Sequence, residues 1–240
     1  MADVEFARGG AILAGVTDSD DAVPAWQRKT AGESRIAATA AVLAIVVLQV
    51  LLPNQFMPEP TWLLPTLEVV VLGFLVLANP VRIDREEIWL RWGGLALIVL
   101  LALATAWSAD RLVVGLIDRT LSDDPAKLLG SGGAIWLTNV VVFGLGYWEF
   151  DRGGPAARAH ARKTLPDFLF VQMQNPELAE PEWEPQFVDY LYLAFTNATA
   201  FSPTDVMPMS RWAKMIMMAQ SAISLVLAAL VIARAINVLN

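Results

Sequence analysis

Five stretches of this chain stay apolar for longer than a soluble fold has use for. They are residues 36–52 (IAATAAVLAIVVLQVLL), 62–79, 89–107, 134–150 and 212–238. A bilayer core takes roughly 20 predominantly apolar residues per helix. Each run is too long and too continuous for a buried strand. In hydrocarbon every backbone polar group must be paired within the protein, so a run of this kind has to be helical. Pro53 stops the first run and Pro80 follows the second, while Trp62, Trp89, Trp92, Trp107, Trp148 and Trp212 lie near run ends, where indole rings favour the headgroup region. Composition agrees: 56% of residues are hydrophobic and 17% charged, against about 25% charged in an ordinary soluble domain. The expected class is all-α, a polytopic membrane bundle of about five transmembrane helices.

The cations set an orientation. With the N-terminus inside and five crossings, thirteen of the 17 Lys and Arg residues fall on the inner side. The remaining four, Arg111, Arg119, Lys127 and Arg234, fall on the outer side. The positive-inside rule then places the N-terminus in the cytoplasm, and the expected location is the cell's inner (plasma) membrane. Residues 1–35 hold six acidic residues and no long apolar core, so they read as a soluble tail and not as a cleavable leader. Residues 36–133 form a three-helix region. It includes an amphipathic stretch, DRLVVGLIDRTL, with Leu112, Val113, Leu116 and Ile117 on one face, expected to lie in the interface. Residues 134–240 form the second membrane region, containing the longest loop, 151–187, with a basic half and an acidic half.

Several chemistries are excluded. There is no cysteine and a single histidine, His160, so thiolate chemistry and Cys- or His-built metal centres are out of reach. A net charge of -7 gives no support for nucleic-acid binding. No phosphate loop, Ser/His/Asp set or metal-ligand spacing is present. The expectation is a protein without enzymatic activity, cofactor or metal.

The most informative stretch is 189–208, DYLYLAFTNATAFSPTDVMP. It opens with about a dozen helix-compatible residues, too few to span a bilayer. It passes through a polar turn, SPTD, and leads by way of Pro208 into the last apolar run. A short helix, a polar loop and a full helix is the order of a re-entrant segment. It resembles the pore module of tetrameric cation channels, in which an aromatic-rich short helix runs into a Thr-rich filter and then an Asp. The resemblance covers roughly residues 134–237 and implies Thr196, Asn197, Thr199, Ser202, Thr204 and Asp205 as pore or polar-site residues, with a monovalent cation as ligand and a homo-oligomer as the assembly. It departs where the filter glycines would stand, at Ser202 and Thr204, so potassium selectivity is not expected. A structural reading competes: 202–205 is also an N-terminal cap signal for the last helix. A second resemblance covers most of the chain. YLYLAFTNATAFSPTDVMPMSRWAKMIMMAQSAISLVLAALVIARAINVL, with YWEFDRGGP and DFLF upstream, is similar to a group of uncharacterised actinobacterial multi-pass membrane proteins related to a domain-of-unknown-function family. It implies class and topology and supplies no activity.

Glu68 is the remaining candidate. It lies about six residues into the second run, and an ionisable group at that depth faces a partner, a cavity or the interface. Thr138, Asn139, Gln220, Ser221 and Ser224 read as helix–helix glue. Glu149 and Asp151 read as surface ion-pair partners of Arg152 or Arg158. The expected function is a pore-loop channel-like membrane protein that conducts cations. The alternative is a non-catalytic membrane subunit or scaffold of a larger complex, in contact with lipid and with other membrane subunits.

Overall fold

The computed structural model describes residues 23–85, 87–121, 124–199 and 205–239. Among the described residues 71% are helical, with little strand. The helices are α1 (Ile36–Leu51), α2 (Leu63–Ala78), α3 (Ile88–Ile117), α4 (Pro125–Phe150), α5 (Pro155–Ala159), α6 (Val171–Gln174), α7 (Phe187–Ala198) and α8 (Arg211–Leu239). Four short strands, β1 (Glu33–Ser34), β2 (Arg82–Ile83), β3 (Phe168–Phe170) and β4 (Val206–Pro208), pair antiparallel as β1–β2 and β3–β4.

Three of these helices, α3, α4 and α8, are long and apolar enough to cross a membrane, not five. The runs at 36–52 and 62–79 fold into α1 and α2 at 16 residues each. That is about 24 Å of helix against a hydrocarbon core of about 30 Å. The physical reason is punctuation. Pro53 follows the last turn of α1, and the connection to α2 folds as a 3₁₀ turn, Asn54–Phe56. Phe56 of that turn is buried against α3, where the Ser108 hydroxyl donates to its carbonyl at 2.9 Å.

The proposed interfacial helix at 112–121 is also corrected: the helix of the third run continues through it to Ile117. Leu112 and Leu116 are buried there with Phe56, Leu128, Ile135, Leu227 and Val231, forming a second apolar cluster at this end of the bundle. The fourth helix likewise starts before its apolar run. Asp124 accepts from the backbone N–H groups of Ala126 (3.0 Å) and Lys127 (3.4 Å), and Pro125 occupies the first turn, so the glycine-rich stretch 130–133 is helical.

Helix α4 is the centre of the bundle. Its apolar window is 61% buried, against 33% for α3 and 28% for α8. Glycines let its neighbours come close: a Cβ at Gly132 would stand 2.6 Å from the Val231 side chain of α8, and one at Gly144 would stand 3.2 Å from the Leu191 backbone of α7. The starts of α1, α3, α7 and α8 and the ends of α2 and α4 gather at one end of the molecule, tied by both strand pairs and by the Thr30 N–H donating to Ala159 at 2.9 Å. This charged end holds the buried ion pairs and the mouth of the pocket.

Candidate functional site

The residues singled out from sequence fall in three places. Ser202 and Thr204 lie outside the described residues. Thr196 and Thr199 turn their hydroxyls back to carbonyls of their own helix, Thr196 to Tyr192 and Leu193, Thr199 to Phe195 and Thr196. Asp205 is half-buried and hydrogen-bonds the Tyr192 hydroxyl. It does not cap α8: β4 intervenes, and the cap is Ser210, whose Oγ accepts from the Ala213 N–H at 3.3 Å.

Asn197 belongs to a buried network that joins α4, α7 and α8. Its amide donates to Gln220 Oε1 (2.7 Å) and to the Met217 carbonyl (2.9 Å), and its oxygen accepts from Ser221 at 3.1 Å. Tyr147 also donates to Gln220 Oε1, at 2.5 Å, and Gln220 Nε2 donates to the Ala194 carbonyl at 2.9 Å. One helical turn further along, Asn139 donates to Ser224 at 3.0 Å. Asn139, Gln220, Ser221 and Ser224 thus act as interhelical glue, the role sequence assigned them. Glu68 stands apart, on α2 facing α1, fully buried, its Oε1 accepting from Gln49 Nε2 at 3.2 Å.

The charged end was underestimated from sequence. Asp151 and Arg152 are not surface residues: they are 0% and 1% exposed. Asp151 accepts from the Tyr190 hydroxyl (2.6 Å) and from the backbone N–H groups of Asp167 (2.9 Å) and Phe168 (3.4 Å), with the Arg152 guanidinium 3.5 Å away. Arg152 donates to the Trp26 carbonyl at 2.6 Å. Arg158 donates to the carbonyls of Trp148 (2.6 Å) and Asp151 (3.1 Å) and stacks over the Tyr190 ring. Burial alone would lower its pKa, but Tyr190, Asp151, Glu33 and Glu149 outweigh that and raise it. Glu33 accepts from Trp148 Nε1 (2.6 Å) and from the Phe187 N–H (2.5 Å), and it lies 3.7 Å from Arg158. Burial pushes its carboxyl up, against the pull of Arg158 and the two donors. Buried ions persist only when paired in this way. The one local sign in sequence was the density of charge in YWEFDR, directly where an apolar run ends.

Beside this cluster, between α1, α2, α3 and α4, a pocket of about 340 Å³ opens. Its inner walls are aliphatic: Ala38 and Val42 of α1, Leu72 and Leu75 of α2, Leu97 and Leu101 of α3, and Leu145 of α4. Its mouth is charged and carries Arg35, Arg85, Arg91 and Arg162 with Glu87 and Glu149. Glu149 sits where the two surfaces meet. It faces Gly94 of α3, and Arg158, Arg91 and Arg35 act on it electrostatically. Arg91 donates to the Gly153 carbonyl and Arg85 to the Ala78 carbonyl at 3.2 Å, which fixes both at the rim. Burial lowers the Arg35 pKa, partly offset by Glu149. The volume falls in the range of small-molecule sites, and an apolar interior with few charged groups at one end is the form such sites take.

Among the described residues no group of three or more His, Cys, Asp and Glu side chains is placed to hold a metal ion. Comparison with protein-family models, with curated proteins and with solved structures finds no match to this chain.

Proposed function

We propose that this chain is an integral protein of the plasma membrane, with its N-terminus cytoplasmic, that binds an anionic amphiphile in the pocket between α1, α2, α3 and α4 without catalysing a reaction on it. The carrying observation is the polarity of the pocket: an aliphatic interior ending in a mouth with four arginines and two carboxylates. Basic pockets between transmembrane helices on the cytoplasmic side suit anionic lipid headgroups. Of the thirteen inner cations, the twelve within the described residues gather at the end that carries the pocket mouth.

The test is native mass spectrometry of the full chain from nanodiscs of phosphatidylglycerol or phosphatidylcholine. Retention of phosphatidylglycerol over phosphatidylcholine is expected, and Arg35→Gln with Arg85→Gln should weaken it about thirtyfold, at about 1 kcal/mol per arginine. Equal retention of both lipids, or no effect of the paired substitution in a protein that still elutes as the folded species, refutes the reading.

A second reading is a pore-loop channel-like homo-oligomer. It is favoured by one observation, the twelve-residue α7 seated against both α4 and α8, with Asp205 beside its Tyr192. Thr199 and Asp205 of several copies would then line a path for monovalent cations. Cation flux in liposomes, altered by Asp205→Asn, is the result this reading requires.

A further inference from the structure

We infer that Glu68 carries its proton in the folded protein and donates it to the Gln49 carboxamide oxygen, which makes the α1–α2 contact a proton-binding site. Glu68 and Gln49 are 0% and 2% exposed. One hydrogen bond joins them, from Gln49 Nε2 to Glu68 Oε1 at 3.2 Å. The other oxygen of each side chain, Glu68 Oε2 and Gln49 Oε1, is buried with no donor in reach. An ionised carboxylate would leave both as orphaned acceptors. A carboxylic acid supplies the missing O–H, and the pair closes as a ring of two hydrogen bonds in which no oxygen goes unsatisfied.

Nothing nearby compensates a negative charge. Helix α1 contains no charged residue, and α2 contains none besides Glu68. On α3, which packs on its other side, the charged residues Arg91, Asp110 and Arg111 bracket the uncharged stretch 92–109. The Thr105 and Ser108 hydroxyls of α3 are committed to the carbonyls of Leu101 and of Phe56 and Ala104. An uncompensated ion in such surroundings takes up a proton instead. Glu68 lies one helical turn beyond Leu72 of the pocket wall, on the same face of α2, so loss of the proton requires water to pass that turn.

The experiment is infrared spectroscopy of the full chain in lipid nanodiscs at pH 7, together with peptide mapping after treatment with dicyclohexylcarbodiimide, which modifies protonated carboxyls in apolar surroundings. Expected are a carboxylic-acid carbonyl band that is lost in Glu68→Gln, a shift of that band to the position of a free acid in Gln49→Leu, and carbodiimide addition at Glu68. Should Glu68→Gln fail to fold, the Gln49→Leu shift and the modification of the unaltered chain still decide. A carboxylate at Glu68, a band insensitive to Gln49→Leu, or a band present only without sodium overturns the inference; the last would mean that a cation occupies the two oxygens.

Discussion

Removing the hydroxyl of Tyr190 tests whether the charged end is held by its buried hydrogen bonds. Tyr190 is fully buried and donates to Asp151 Oδ2 at 2.6 Å. Its ring packs edge-on against Phe170 (5.4 Å between centroids) and Phe168 (6.3 Å), and beneath the Arg158 guanidinium (5.1 Å). Tyr190→Phe keeps all three ring contacts. What it removes is one hydrogen bond to a charged acceptor, worth about 1.5–3 kcal/mol, and it leaves Asp151 Oδ2 with the Arg152 ion pair at 3.5 Å alone. The expected loss is about 2 kcal/mol, roughly a thirtyfold fall in the folding equilibrium constant. Reversible unfolding of the full chain in mixed micelles by increasing dodecyl sulfate reads this directly. Asp151→Asn and the double variant complete a cycle, in which the two losses should fall short of additivity by about 1 kcal/mol because both act on one bond. A Tyr190→Phe protein within about 0.5 kcal/mol of the parent refutes the reasoning, since it would make the hydroxyl no better than a surface substituent.

Two further outcomes follow from the packing and the course of the chain. Gly132→Ala should destabilise the α4–α8 contact by about 1–3 kcal/mol in the same assay, because its Cβ would stand 2.6 Å from Val231, and Val231→Ala should restore most of the loss. Since the chain has no cysteine, single cysteines at the exposed positions Lys163 and Lys127 report topology; they should react with an impermeant maleimide from opposite faces of the membrane, Lys163 from the cytoplasm.

The apolar runs were legible because a bilayer imposes its own length scale on sequence. The run at 134–150 ends at Phe150, as α4 does. What sequence hid is the start of α4 at Pro125: GSGG reads as a linker, and only the closeness of α8 at Gly132 explains glycine inside a helix. The polar pair Asp110–Arg111 hid the continuation of α3 in the same way, because the helix is carried past them by the burial of Leu112 and Leu116. Glu149, Asp151 and Arg158 read as solvated charges in sequence because residues that bury them, Glu33 and Tyr190 among them, come from far along the chain. Glu33 meets Trp148 across 115 residues, and no local pattern encodes that contact. The pocket was invisible for a related reason: its walls come from four helices, each contributing residues that alone read as ordinary span.

The charged end also fixes an order of assembly. Glu33 leaves the ribosome early, yet its acceptor capacity is met by Trp148 and by Phe187, the latter 154 residues later. At synthesis rates of about 5–20 residues per second, that interval is roughly 8–30 s. Glu33 has neither N–H donor until Trp148 is made, 115 residues on, and it lacks the Phe187 N–H for the whole interval; from the emergence of Arg158 until α7 is made, that guanidinium has no Tyr190 ring to lie over. A chain halted just before residue 187 therefore presents together an acid short of one donor, an arginine without its ring and the Trp148 indole without Phe187. Completion of α7 supplies the Phe187 N–H, the Tyr190 ring and the Phe187 ring together, so the contacts that hold the finished bundle close last.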